Sequence, residues 1–279
     1  MGDHPAARMS GSGTDRELRR SIVSSHCAFF RRLGRPPGGV TLTHLGITRY
    51  SSGVDHPIFN GVFSDDTSSG VDADAIEDVL AFFRHRGVPF TWWSLPGRDS
   101  ADLGTALVAR GLVRETESPG MALDLGQTLD PPPVPAGLKI APVEGISEME
   151  VYGQTLNAGD FQAPETVARH IPRILAPERG DSRFKFFMGW LDRRPVATSL
   201  MFAEAGVAGI YGVATVADAR RRGIGAALTF AAVEAGRQAG FRHAVLVATA
   251  MGAPVYRRLG FEEVCRIGSF VREGTASEP

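Results

Sequence analysis

The two halves of the 279-residue chain end in the same order of structural patterns. In each half, an amphipathic helix is followed by a buried strand, a short helix closed by glycine, and a final strand. The segments are DADAIEDVLAFFRHRG, VPFTWWSL, SADLGTALVARG and LVRETESPGMALDL in the first half, and GIGAALTFAAVEAGRQAG, FRHAVLVAT, MGAPVYRRLG and FEEVCRIGSFV in the second. Because order, lengths and glycine endings all match, a duplicated unit is favoured over an ordinary succession of helices and strands.

A proline-rich stretch, GQTLDPPPVPAG, lies between the two halves. Consecutive prolines favour an extended polyproline conformation, which is typical of a linker between domains. We therefore expect one domain at residues 16–126, a linker at 127–137 and a second domain at 138–275. Residues 1–15 are small and polar, and we predict that they are disordered.

Three strand-like segments precede the shared ending in the second half: RFKFFMGWLD, VATSLMFAEA and AGIYGVATV. The short turns between them predict an antiparallel meander. A sheet that begins antiparallel and then takes in a helical crossover belongs to a mixed α/β (α+β) fold. The predicted architecture is two tandem domains, each with a mixed, mostly antiparallel sheet flanked by helices.

The composition excludes several classes of protein. A net charge of −1 argues against a general nucleic-acid or membrane-surface binder. Cys27 and Cys265 lie far apart with no neighbouring ligand at metal spacing, so neither a disulfide framework nor a metal site is predicted. The N-terminal residues lack the apolar segment of a signal peptide, and no apolar run reaches about 18 residues, so we expect a cytoplasmic protein.

A basic, glycine-containing turn links the predicted strand GIYGVATV to the next predicted helix. The turn and the start of the helix consist of Arg220, Arg221, Arg222, Gly223, Ile224, Gly225 and Ala226. Unpaired N–H groups and the helix dipole attract anions here, and the glycines leave room for a phosphate to approach. The turn is predicted to bind pyrophosphate, although its spacing is neither that of a P-loop nor that of the dinucleotide-binding glycine motif.

The spacing Arg220-x-x-Gly223-x-Gly225 resembles the (Gln/Arg)-x-x-Gly-x-(Gly/Ala) motif of the GNAT superfamily of N-acetyltransferases. Downstream, Tyr256 with the Leu-Gly-Phe that ends at Phe261 resembles the Tyr-x-x-Leu-Gly-Phe signature of the same family. The resemblance covers about residues 138–272 of the chain. It implies a GNAT-like fold, acetyl-CoA or another short acyl-CoA as cosubstrate, and transfer of the acyl group to an amine, with no metal.

The resemblance also implies roles for individual residues. The basic turn would bind the pyrophosphate, and Val213, Ala214 and Thr215 would meet the pantetheine arm through their main chain, on a strand that splays from its neighbour. The phenol of Tyr256 would donate a proton to the leaving thiolate. Thr249 stands where many family members carry asparagine and is expected near the thioester.

The sequence departs from the family at the general base, which is often a glutamate on this strand or the next. Tyr211 and Gly212 occupy such positions here. Glu204, on the preceding strand, is a candidate base, and an exposed carboxylate at a strand end is the alternative. An already neutral amine or a chain of water molecules would remove the need for a base.

The first half lacks both motifs. When its last helix is aligned on the terminal glycine, Leu107 replaces the tyrosine, and the preceding helix start is rich in aspartate, which suits the helix dipole but repels phosphate. We interpret this half as a degenerate GNAT-like domain that cannot hold coenzyme A. Trp92 and Trp93 could wall a substrate cleft or belong to the core.

These features predict a bacterial, cytoplasmic acetyltransferase that acetylates an amine of a small molecule, a metabolite or an antibiotic-like compound, by direct attack. A monomer or a homodimer is expected, with no nucleic-acid or membrane partner. The alternatives are a mycothiol-synthase-like tandem acetyltransferase, a non-catalytic acyl-CoA-binding regulator, and a GNAT-like decarboxylase. Asp160 and Glu165 could meet a cationic acceptor or form part of an ordinary solvated helix face.

Overall fold

Twelve strands and eight α-helices are found in the residues that the computed structural model describes, which are 12–64, 71–97, 99, 102–115 and 117–274. The helices are α1 (Ser12–Arg31), α2 (Ala73–Arg86), α3 (Leu103–Val108), α4 (Ile146–Leu156), α5 (Glu165–Ala168), α6 (Ile171–Leu175), α7 (Ile224–Gln238) and α8 (Ala253–Arg258). The strands are β1 (Val40–His44), β2 (Ile47–Ser51), β3 (Asn60–Ser64), β4 (Phe90–Ser94), β5 (Val113–Arg114), β6 (Ser118–Asp124), β7 (Leu138–Pro142), β8 (Phe184–Leu191), β9 (Arg194–Glu204), β10 (Val207–Thr215), β11 (His243–Val247) and β12 (Glu262–Arg272).

The two halves share one arrangement. In each, a parallel crossover (β3–α2–β4 or β10–α7–β11) follows antiparallel strands. A short helix comes next, and it closes on a left-handed glycine, Gly111 at φ 83° or Gly260 at φ 91°. The antiparallel meander β8–β9–β10 forms as predicted. The predicted mixed, mostly antiparallel sheet flanked by helices is confirmed.

The last strand of each half pairs with strands of the other half, an exchange that the sequence pattern does not reveal. Strand β6 of the first half lies between β11 and β12. Strand β12 continues past β6 and pairs through residues 268–272 with β4 of the first half. One sheet therefore runs through the molecule in the order β1-β2-β3-β4-β12-β6-β11-β10-β9-β8-β7, with β5 also paired to β12. A cut in the segment 127–137 would leave each half without the strand that it receives.

The sheet separates buried clusters that lie on its two faces. Neighbouring residues of β9 illustrate this, because Phe202 belongs to the core with α1 and α4 whereas Met201 belongs to the core with α7. Side chains of a strand alternate between faces, so α7 lies on one face and α1 and α4 on the other. Helix α1 contacts strands of both halves, including β2, β6, β10 and β12.

Helix α1 includes residues that were predicted to be disordered. Residues 12–15 were predicted to be disordered, but they form its first turn, and residues 1–11 lie outside the described residues. The helix is anchored by an apolar face that includes Ile22, Val23 and Phe30, each less than one-tenth exposed. Within the described ranges, every helix is too short or too polar to span a bilayer.

Candidate active site

Strands β10 and β11 separate halfway along their length. Their parallel pairing covers Ala208 with Ala244 and Gly209 with Val245, and it stops there although β10 continues to Thr215. The end of β10 is therefore open on the side that faces β11. Main-chain N–H and C=O groups along such an opening are available to a ligand.

A β-bulge shapes the open end of β10. The antiparallel register with β9 shifts between Tyr211 and Ala214, and Gly212 takes a left-handed φ of 56°. The hydroxyl of Thr198 donates a hydrogen bond to the carbonyl oxygen of Gly212 at 2.8 Å and fixes the bulge. Bulges often re-aim backbone groups beside active sites, and here Val213 lies within the bulged segment.

A cavity of about 1040 Å³ lies at this opening. It is at the upper end of the range of roughly 300–1,000 Å³ that is usual for ligand sites. Most of the residues predicted for the site line it together: Val213, Ala214, Thr215, Arg220, Arg221, Gly223, Ile224, Gly225, Ala226, Thr249 and Tyr256. Arg222 and Glu204 are not among the described residues that line it.

The turn before α7 presents an uncapped helix N-terminus to the cavity. Gly223 precedes the helix at a left-handed φ of 82°, and no side chain caps it. A methyl group added to Gly225 would make an ordinary van der Waals contact with the hydroxyl of Thr215, at 3.5 Å, so this position has room for one. Free N–H groups at the positive end of a 15-residue helix favour an anion such as a phosphate.

Arg220 and Arg221, the two arginines of the turn that line the cavity, differ in their surroundings. Arg220 donates from Nε to the carbonyl oxygen of Thr215 at 3.0 Å and from Nη2 to that of Gly159 at 2.8 Å. Its guanidinium therefore braces the end of β10, and since Arg220 also lines the cavity, its role toward the phosphate stays a prediction. Arg221 lines the cavity with φ 61°, a conformation that is uncommon for a non-glycine residue and is often found at functional sites.

Tyr256 lines the cavity from α8. Its side chain is 9% exposed and its ring lies edge-on to Phe261, with the ring centroids 6.0 Å apart. Burial raises the pKa of the Tyr256 phenol above its usual value, and the nearby carboxylate of Asp160 raises it further. The phenol is therefore protonated at neutral pH and can act as a proton donor.

Asp160 lies in a π-helical turn, Asn157–Phe161, that extends α4. The turn is held against β10, because a methyl group at Gly159 would come within 2.9 Å of the Thr215 nitrogen. Removal from water raises the pKa of the Asp160 carboxyl, and the charge of Arg220 opposes that shift. The sequence marked Asp160 only as an acid that could meet a cation, whereas the structure places it in the wall of the same cavity as Tyr256.

Glu204 lies away from the cavity, at the end of β9. Its carboxylate accepts a hydrogen bond from Nη1 of Arg183 at 2.9 Å. Glu204 is partly exposed at the strand end and does not line the cavity, and its role as a base stays a prediction. Glu165, in the first turn of α5, is likewise not among the described residues that line the cavity.

Thr249 combines a place in the cavity wall with a local structural role. Its hydroxyl accepts a hydrogen bond from the backbone N–H of Gly252 at 3.1 Å, and its carbonyl oxygen accepts one from the N–H of Ala253 at 2.9 Å. Thr249 therefore shapes the start of α8. The helix in turn carries Tyr256.

The first half also supplies walls to this cavity, which the sequence left open. Trp93 lines it, whereas Trp92 is fully buried in the core of the first half. Side chains of α1 join Trp93, among them His26, Phe29 and Phe30. Their spacing of three and four residues is the only sequence signal for this wall, and it equally fits a helix that packs on a core.

Residues 154–261 match the model of the acetyltransferase (GNAT) family. No curated protein sequence matches the chain. Among solved structures, the chain resembles a GCN5-related N-acetyltransferase from Kribbella flavida, with 22% identity and a TM-score of 0.65 over 96% of this chain and 98% of that one. A GCN5-related N-acetyltransferase from Sphaerobacter thermophilus gives 20% identity and a TM-score of 0.61 over 84% of this chain and 78% of that one. A tandem GNAT protein from the clavulanic acid biosynthesis pathway gives 14% identity and a TM-score of 0.55 over 96% of this chain and 97% of that one. At such identities the likeness shows a common fold.

Proposed function

We propose that the chain, in which residues 154–261 match the GNAT acetyltransferase family model, transfers an acetyl group from acetyl-CoA to an amine of a small molecule. One observation carries the proposal. The uncapped N-terminus of α7, the bulged end of β10 and the phenol of Tyr256 all line a single cavity.

The residues around the cavity fit the parts of an acyl-CoA. The N–H groups at the start of α7, beside Gly223 and Gly225, would hold the pyrophosphate, and the positive charge of Arg221 would add to their attraction. The main chain of Val213 to Thr215 would hydrogen-bond the pantetheine arm where β10 has left β11. When bound, the cosubstrate supplies an acyl group already activated as a thioester.

Two protein side chains would then transfer the protons of the reaction. The carboxylate of Asp160 would attract the ammonium form of an acceptor and take up the proton that the amine must lose. The phenolic Oη of Tyr256 would give its proton to the sulfur as the thiol leaves. Holding the amine beside the thioester would supply much of the acceleration, because it replaces an encounter in solution.

Catalysis is favoured over a purely regulatory acyl-CoA-binding role by the pairing of Tyr256 with Asp160. A protein that only binds an acyl-CoA needs the phosphate-binding start of α7, which we call the cradle and which consists of residues 221–226. It has no need for a protonated phenol and a carboxylate in the wall of the same cavity.

The test is to incubate the full chain with acetyl-CoA and a panel of amines, and to follow thiol release together with the mass of the acetylated product. The control is a matched pair of variants at Gly225. Gly225→Ala adds a methyl group in ordinary contact with Thr215 and should keep activity, whereas Gly225→Glu adds a negative charge at the start of α7 and should abolish it. Absence of acetylated product with every amine, despite bound acetyl-CoA, would refute the proposed transfer.

A further inference from the structure

His26 is a buried polar side chain without a hydrogen-bond partner at the wall of the cavity. It is 2% exposed, and both of its ring nitrogens lack a partner among the described residues. A buried polar group without a hydrogen bond is costly, and such groups in native proteins call for an explanation, often a ligand or a water molecule. His26 also lines the cavity, so its ring is part of the wall that a bound molecule would meet.

The other polar groups around His26 are satisfied within the protein. Trp93 donates from Nε1 to the hydroxyl of Tyr50 at 2.9 Å, and the hydroxyl of Tyr211 is hydrogen-bonded to that of Ser25 at 2.9 Å. The ring nitrogens of His26 differ in this from the two neighbouring groups, although Arg49, Trp92 and Tyr152 also have a buried polar atom without a partner.

The rest of this end of the cavity is aromatic. The ring of His26 lies between Phe30 and Trp93, with centroid distances of 4.6 and 4.7 Å. Phe59 of the first half meets Phe161 of the second at 5.3 Å, and both line the cavity. These contacts enclose a surface that suits an apolar body and opposes an unpaired charge.

The charge in the cavity wall, among the described residues, comes from the second half of the chain. The charged side chains that line it, among the described residues, are Asp160, Arg220, Arg221 and Arg258, all from the second half. His26 adds no charge, because burial lowers the pKa of its imidazole to about 3. A neutral imidazole has one N–H donor and one nitrogen acceptor, which match a hydroxyl or an amide.

We propose that α1 and Trp93 form the acceptor pocket, and that it takes an amine carried on an aromatic or similarly apolar body whose uncharged polar group hydrogen-bonds with His26. The amino group would lie toward Asp160 and Tyr256, and the apolar body would lie among the rings of the first half. This inference rests on the proposed acetyl transfer, because that reaction requires the amino group to lie toward Asp160 and Tyr256. It assigns the degenerate half of the chain the role of selecting the acceptor.

Calorimetric binding to the full chain saturated with coenzyme A tests the pocket without requiring turnover. The probes are phenethylamine, tyramine, which adds a ring hydroxyl, and two polar amines, glucosamine and spermidine. We expect the two arylalkylamines to bind, tyramine about tenfold more tightly, because one buried hydrogen bond distinguishes them. Failure of both to bind, or tighter binding of glucosamine or spermidine, would overturn the proposal.

Two variants of His26 assign the preference to this residue. His26→Phe keeps an aromatic ring in the wall and removes both polar atoms, so the tenfold preference for tyramine should disappear while phenethylamine still binds. His26→Gln keeps a donor and an acceptor and should retain a preference for tyramine. An unchanged preference in His26→Phe would show that the hydroxyl lies elsewhere.

Thiol release with the same amines separates this inference from the proposed function. Binding that depends on His26, without any thiol release, would leave the pocket in place and refute the acetyl transfer. Thiol release with glucosamine or spermidine alone would support the transfer and overturn the apolar acceptor.

Discussion

The N-termini of α2 and α7 occupy equivalent places in the two halves, but that of α2 is capped by a side chain and that of α7 is not. In α2, the carboxylate of the N-cap residue Asp72 accepts a hydrogen bond from the N–H of Ala75 at 2.8 Å. A negatively charged side chain of the protein therefore occupies this helix N-terminus. In α7, the cap position is Gly223 and no side chain fills it. The same crossover therefore has a closed helix end in one half and an open helix end in the other.

A second difference lies in the short helices α3 and α8. Leu107 of α3 is fully buried in the core of the first half, whereas Tyr256 of α8 reaches the cavity. The strand before each crossover differs as well, because β3 keeps a regular register with β2 whereas β10 carries a bulge. The comparison indicates that a half can keep its fold through core packing alone, while the site depends on a few positions that the core does not need.

The largest effect is expected at the tyrosine that the first half lacks. Tyr256→Phe keeps the ring contact with Phe261 and removes only the proton donor. We expect turnover to fall by roughly 10² to 10⁴, the usual contribution of a general acid. The affinity for coenzyme A should stay nearly constant, since the cradle is untouched. Steady-state kinetics with a coenzyme A titration measures both, and wild-type turnover would make Tyr256 a packing residue.

A smaller effect is expected at Asp160. Removing the carboxylate in Asp160→Asn should lower kcat/KM by about 100-fold, near the low end for a general base. A base must be deprotonated to act, so wild-type activity should rise with pH through the pKa of Asp160, which lies above the usual value for an aspartate. The variant should lose this acidic limb of the pH profile. If the limb persists in Asp160→Asn, another group takes the proton.

The smallest effect is expected at the closed helix end. Asp72→Ala removes the cap of α2 and should lower the free energy of unfolding by about 1 kcal/mol. Coenzyme A binding should not change, because the proposed cradle lies in α7. Chemical denaturation of this variant measures the loss of stability, and a binding titration measures the affinity for coenzyme A. Weaker coenzyme A binding at unchanged stability would count against the expectation.

The sequence predicted those features that depend on local pattern. The left-handed glycines, the meander and the open helix start at Gly223 follow from backbone rules that act over a few residues. The exchange of β6 and β12 could not be predicted, since a strand pattern does not say which strand will be its partner. Asp160 and the bracing role of Arg220 were also beyond reach, because both depend on the π-helical turn at residues 157–161 meeting the end of β10.

The central claim is that a single helix end in the molecule accepts coenzyme A. Isothermal titration of the intact chain tests it most directly, because the exchanged strands prevent a fair test on separate halves. We predict one coenzyme A per chain, unchanged binding in Gly225→Ala and Asp72→Ala, and no binding in Gly225→Glu. Two bound molecules per chain, or binding that survives Gly225→Glu, would contradict the account.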